Sequence, residues 1–230
     1  MKKSTIAMLV VFLAAIPLTL ALGLRLTGRS YYITGTLVMI EALVPFIMAF
    51  EGRKPQAREL VIVAVLCAIA VAARAAIPIP NFKPMFAVII LSGFAMGPET
   101  GFLVGAMGAF ASNFFFGQGA YTPWQMMAYG SAGLLGGLFF QMHWLKRKPL
   151  PMAIFGAACV LLVVGPLLDT CSVFLMLTEI TPQTAWPIYL SGLPVNALQA
   201  LCTFLTILLL GEPFLEKLDR VKLKFGLREE

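Results

Sequence analysis

The side chains able to do chemistry in this sequence are amides, one acid and a few aromatic rings. Asn113, Gln118, Trp124 and Gln125 fall in a single stretch that runs Ser112-Asn113-Phe114-Phe115-Phe116-Gly117-Gln118-Gly119-Ala120-Tyr121-Thr122-Pro123-Trp124-Gln125. Asn81 sits in a proline-rich connection, Ile77-Pro78-Ile79-Pro80-Asn81-Phe82-Lys83-Pro84. Asp169 and Asn196 lie in two later apolar segments, and Gln199 follows Asn196. Amides donate and accept hydrogen bonds without exchanging protons, so this set suits recognition rather than catalysis. There is no HExxH, no GxSxG and no pair of carboxylates deep in an apolar segment. Asp169 is read as the acid well inside a span, with Glu99 in a turn and Glu179 and Glu212 at span edges. An enzyme is therefore disfavoured.

Cys67, Cys159, Cys171 and Cys202 each stand alone in apolar surroundings, which reads as packing rather than a disulfide framework or a zinc site. His143, beside Trp144 and Lys146-Arg147-Lys148, reads as interfacial. No metal site and no cofactor are expected. No GxxxxGK[ST] phosphate loop is present, so the chain does not hydrolyse ATP by that route. Any active transport draws on an ion gradient or on partner subunits.

The elements that must position these residues are set by composition. Hydrophobic residues make up 60% of the chain and charged residues 12%, about half the charged share of a soluble domain. Mean hydropathy is +0.89. The net charge of +6 is carried by short Lys/Arg runs between apolar segments. That is the pattern of membrane flanks, not of a nucleic-acid surface.

Eight apolar stretches are long enough, or nearly so, to span a bilayer: 5–23, 33–50, 59–77, 84–97, 100–116, 123–142, 151–176 and 187–210. The expected fold is all-α, a polytopic membrane helix bundle. The short fourth stretch joins the fifth through Gly97-Pro98-Glu99-Thr100, a turn sequence that predicts a helical hairpin. Lys2-Lys3 ahead of an apolar run also resembles a signal peptide cleaved near Leu20-Ala21. The length of the run favours a retained helix.

With both termini cytoplasmic, the inner side holds Lys2, Lys3, Arg53, Lys54, Arg58, Lys146, Arg147, Lys148 and the basic tail. The outer side holds Arg25, Arg29, Arg74 and Lys83. The positive-inside rule selects this orientation. It places the amides, Asp169, Trp124, Trp186 and Tyr189 toward the outer face, with Arg74 capping the third span there. Such a gathering suits an outward-facing pocket for a ring-containing ligand. Taken singly, the rings are equally well interfacial anchors, and Asn113, Asp169 and Asn196 equally well bond one helix to another. The tail from Glu212 to Glu230 reads either as an amphipathic surface helix or as a solvated tail.

Ala64, Ala68, Ala72 and Ala76 recur every four residues and share one helix face. Small residues let membrane helices approach closely, within the bundle or from a partner. Gly93/Gly97, Gly101/Gly105 and Gly133/Gly137 repeat the spacing in the middle of the chain.

From about Glu59 to Gly211 the chain resembles the substrate-binding S component of energy-coupling factor (ECF) vitamin transporters. The alanine series matches the Ala-xxx-Ala signature of that family's first helix. Asn113 to Gly119 followed by Thr122-Pro123-Trp124-Gln125-Met126 is similar to a segment in one branch of it. The resemblance implies a six-helix core over 59–211, with residues 1–58 as two added transmembrane helices and 212–230 as a cytoplasmic tail. It implies a prokaryotic cell membrane and an ABC-type importer. The partners would be a transmembrane T component and two ATPases, with the protein toppling on the T component to release substrate. Ala64, Ala68, Ala72 and Ala76 would then dock on the T component. Asn81, Asn113, Gln118, Trp124, Gln125, Asp169 and Asn196 would line the vitamin pocket. The branch pattern favours cobalamin or a related corrinoid, with riboflavin next. A stand-alone ion-coupled carrier using Asp169 is the alternative, though the two halves show no inverted repeat.

Overall fold

The computed structural model describes residues 10–23, 37, 41, 57–142, 147–177 and 179–226. The span expected at 33–50 lies outside the described residues apart from Leu37 and Glu41. So do Lys2, Lys3, Arg25, Arg29, Arg53, Lys54, His143, Trp144, Lys146 and the last four residues.

The described chain is helical throughout. Helix α1 (Ile16–Gly23) follows a π-helical turn, Val11–Ala15. Then come α2 (Ala57–Ala76), α3 (Met85–Met96), α4 (Pro98–Phe116), α5 (Thr122–Gln141), α6 (Pro149–Met176) and α7 (Pro182–Phe225). By length and composition, α2, α6 and α7 are long and apolar enough to cross a membrane, and α3 is a shorter apolar helix. The protein is a helical membrane bundle, as its composition requires.

Helix α3 is the hub. Met85 through Phe94 are all buried, and α3 packs against α2, α4, α5, α6 and α7. The other five form an arc around it in the order α2, α4, α5, α6, α7. Glycine makes this density possible. A Cβ placed on Gly133 of α5 would lie 2.0 Å from the Gly101 carbonyl oxygen of α4. One on Gly93 of α3 would lie 2.1 Å from the Gly133 oxygen, and one on Gly105 would lie 2.2 Å from the Tyr129 oxygen. The glycine pairs seen in the sequence are thus backbone-to-backbone contacts, the means by which helices associate in lipid.

The expected hairpin is present and tighter than anticipated. Gly97 alone breaks the chain direction, at φ 92°, and its N–H bonds the Gly93 carbonyl at 2.9 Å. Pro98 takes the first position of α4, where a missing N–H costs nothing. Glu99 and Thr100 belong to the first turn of α4 rather than to the connection.

Helix α6 carries a π-helical turn at Val160–Val164, one residue before Pro166. The turn at Val11–Ala15 stands in the same relation to Pro17. Proline lacks an N–H and presses on the carbonyl four residues back, and a π turn relieves that conflict. Helix α7 starts on a capping box between Thr181 and Thr184. It runs 44 residues to a left-handed Gly226. The segment after Glu212 is neither a separate surface helix nor a solvated tail. It continues α7, burying Leu215 and Leu218 against the bundle. Asp219 pairs with Arg147 at 2.5 Å, and Lys222 Nζ donates to the Ala95 carbonyl at 2.6 Å.

Gly133→Val should lower stability by about 3 kcal/mol or more, because the methyl groups meet backbone that cannot yield. Thermal unfolding of the detergent-solubilised protein reads this, with Leu162→Ala on the exposed face of α6 as a control that changes little. A wild-type melting curve for Gly133→Val would mean that α4 and α5 part without cost.

Candidate functional site

Two polar clusters form at one end of the bundle. The first joins α2, α4 and α5. Arg74, in the last turn of α2, donates through Nη1 to Ser112 Oγ and to Asn113 Oδ1, the latter at 2.8 Å. Asn113 Nδ2 passes the network on to Gln125 Oε1 at 2.8 Å and Thr122 Oγ1 at 3.2 Å. Thr122 donates to Gln118 Oε1 at 2.9 Å, and Gln118 Nε2 bonds the Phe110 carbonyl at 3.1 Å. The Arg74 guanidinium also lies 4.7 Å from the Phe116 ring centre and 6.0 Å from that of Tyr129. These partners are neutral, so the cation is held by dipoles and ring faces.

Local sequence explains the arrangement. Gly117, at φ 101°, ends α4 in a conformation that suits glycine. Its carbonyl accepts from Tyr121 at 2.8 Å, which closes the loop. Pro123 takes the second position of α5, with Thr122 and Gln125 in the same first turn facing Asn113.

The second cluster joins α6 and α7. Asn196 Nδ2 donates to Asp169 Oδ2 at 2.8 Å, and Thr170 and Tyr189 share a hydroxyl bond of 2.8 Å. The helices meet at glycines here too. A Cβ on Gly165 would lie 2.5 Å from Asn196, and one on Gly192 would lie 2.2 Å from Asp169. One turn along α7 from Asn196, the Gln199 Oε1 atom is buried without a hydrogen-bond partner among the described residues.

The short hub stops below the two clusters. Twelve residues make a helix of about 18 Å in a core of about 30 Å. The side-chain tip of its first residue, Met85, lies against Gly108 of α4, more than two turns before the end of that helix. Above it the amide clusters of α4/α5 and α6/α7 replace apolar packing.

Asn113, Gln118 and Gln125 are therefore joined in one network, and Asp169 and Asn196 in another. Asn81 stands apart, exposed in a turn at φ 59°, a conformation that asparagine tolerates. Trp124 points the other way. It is 2% exposed and stacks on Phe174 at 5.9 Å, packed with Ile16, Met127 and Cys171. Helix α1 thus covers the seam between α5 and α6.

Sequence reasoning passed over the partners that complete the clusters. Arg74 looked like a helix cap, although a cation in the last turn of an apolar span was the available signal. Tyr189 was read among the outer-face rings and Thr122 within the branch motif, while Ser112 and Thr170 gave no signal of their own. Glu41 in the 33–50 stretch was also passed over as a second acid. It accepts a 2.5 Å hydrogen bond from Thr19.

On the other side of the arc, the alanines behave as a surface. Ala64, Ala68, Ala72 and Ala76 are all exposed, whereas Ala70 between them is fully buried. The first three line an apolar groove of about 740 Å³ between α2 and α4, with Leu103, Met107 and Phe116 opposite. The covered α5–α6 seam lies farther round the arc, so α1 leaves this groove open.

A polytopic helical bundle with its amide chemistry at one end, and no metal-binding group of His, Cys, Asp or Glu among the described residues, has the build of a membrane transport subunit. A protein-family model described as ECF-type riboflavin transporter, S component, matches residues 54–218, and the chain belongs to that family. That family is one of transporter S components and not of enzymes. S components work with a T component and ATPases. A UPF0397 protein of Vibrio atlanticus (strain LGP32) is 36% identical over 87 residues, covering 37% of this chain and 47% of the relative. The chain thus spans about half the length of the curated relative it matches. No solved structure matches. The family's name carries riboflavin, the second of the two vitamins suggested by the sequence, and not cobalamin, the first.

Arg74→Met should remove the donor to Asn113 and leave a buried acceptor unpaired, at a cost of about 1–3 kcal/mol. Thermal unfolding in detergent checks this, and an unchanged midpoint would show that Asn113 is held without Arg74.

Proposed function

We propose that this protein binds riboflavin at the amide-rich end of the bundle and delivers it across a prokaryotic cell membrane. Delivery proceeds by docking on a transmembrane T component driven by two ATPases. The observation that carries the reading is the pair of amide clusters above the half-length α3, in a chain of this family. Riboflavin presents a flat ring system with an imide edge that both donates and accepts, and a chain of hydroxyl groups. Asn113, Gln118 and Gln125 match the first kind of group. Asp169 and Asn196, with Gln199 nearby, whose buried Oε1 has no partner among the described residues, match the second. Asn81 belongs to the connection over α3 and Trp124 to the wall behind the site.

Orientation follows from charge. The opposite end of the bundle bears Arg58, Arg147, Lys148, Lys217, Arg220, Lys222 and Lys224, which favours that end in the cytoplasm. The vitamin site then faces outward and both termini face inward. Residues 59–211 form the substrate-binding core and residues 1–58 the addition. The exposed alanines of α2 and their apolar groove suit close approach by a helix of the T component.

Two experiments test these statements. Titration of the purified chain with riboflavin, followed by flavin fluorescence, should give submicromolar binding, while cobalamin gives none by calorimetry. Binding of cobalamin with no response to riboflavin would overturn the assignment. Ala64→Trp fills the groove about 15 Å along the helix axis from Arg74. It should abolish vitamin uptake in cells that supply the T component and ATPases, while the purified variant keeps its riboflavin affinity. Normal uptake would remove the groove from the docking surface.

A further inference from the structure

Phe116 belongs to two places at once. Its ring lines the α2–α4 groove beside Phe115, and the same ring carries the Arg74 guanidinium at 4.7 Å. That guanidinium fixes Asn113, and Asn113 fixes Gln125 and Thr122. The groove and the amide network are therefore separated by one ring and one cation.

The members of this chain differ in freedom. Ser112 and Asn113 are 0% and 1% exposed and locked by neighbours, whereas Phe116 is 46% exposed. The ring is the part that can swing. Arg74 has neutral partners, so losing a ring face leaves its charge less well satisfied in a poorly hydrated setting. Its hydrogen bonds to Ser112 and Asn113 must then readjust.

We infer that the Phe116–Arg74 contact couples the groove to the amide site. A helix seated at the Phe116 end of the groove draws the ring away from Arg74. The guanidinium shifts, Asn113 and Gln125 lose their fixed orientation, and the ligand is held less tightly. By reciprocity, a ligand that fixes the amides favours the ring position that opposes docking. The ligand named rests on the proposed function, whereas the coupling is a property of this chain's own side chains.

The test uses the full chain with Cys67→Ala and Ala75→Cys. Ala75 is exposed and lines the same groove, while Cys159, Cys171 and Cys202 are buried. Benzyl methanethiosulfonate attaches a ring there as a mixed disulfide, a stand-in for a docked side chain. The labelled protein should bind riboflavin about tenfold more weakly than the unlabelled protein, within the usual range of coupling between sites. That difference should vanish when Phe116→Leu is added. Equal affinities with and without the label overturn the inference. If the unlabelled protein takes no riboflavin, the substrate assignment fails and the coupling is read from thermal unfolding instead. Asn113→Ala should then cost less in the labelled protein than in the unlabelled one, and equal costs overturn the inference.

Discussion

Direct contact of helix backbones at Gly93, Gly101, Gly105, Gly133 and Gly137 is the constraint on which the rest depends. In lipid there is no gain from hiding apolar side chains, so association rests on packing. Glycine lets α3, α4 and α5 lie against one another with almost nothing between them. That contact seats a twelve-residue helix at the centre of an arc of five longer ones. A bulkier hub would push the arc apart and open the seams that now bring Arg74 to Asn113 and Asp169 to Asn196.

The shortness of the hub then makes room for the candidate site. Wherever α3 is present, its neighbours face it with Leu, Ile, Val, Phe and Gly. Beyond Met85 the neighbours face one another, and the sequence supplies Asn, Gln, Thr and Asp. Polar groups buried at that depth must be paired or ligand-bound. Most are paired across helices, which fixes their orientation before any ligand arrives. The Gln199 side-chain oxygen is buried with no partner among the described residues.

Much of this was legible in the sequence, because hydrophobic runs and turn residues act locally. The core spans, the hairpin at Gly97-Pro98, the glycine contacts and the one-sided gathering of amides could be read directly. Pairing could not. Whether Asn113 meets Gln125 or a ligand depends on helix rotation to within a fraction of a turn, and Pro166 alters that rotation through a π turn that hydropathy does not register. Trp124 carries the composition of an interfacial anchor and yet is buried, because Phe174 and Ile16 come to it from distant parts of the chain. Arg74 hid as a cap. The continuation of α7 past Glu212 was masked by its charges, of which Asp219 pairs with Arg147 and Lys222 with the Ala95 carbonyl while Glu216, Lys217, Arg220 and Lys224 stay exposed.

Helix α7 has a further consequence. From Trp186 to Gly211 it is predominantly apolar and about 39 Å long by its helical rise, against a hydrocarbon core of about 30 Å. Such a helix leans, or the bilayer swells to meet it. Its inclination is therefore set jointly by the protein and by the thickness of the surrounding lipid. A thicker bilayer stands the helix upright and a thinner one lays it over. Because α7 is fastened at one level to Asp169 and at another to Ala95, the whole bundle turns with it. Hydrophobic mismatch then becomes a term in the energy of any rocking motion this subunit makes, and membrane composition a means of biasing it.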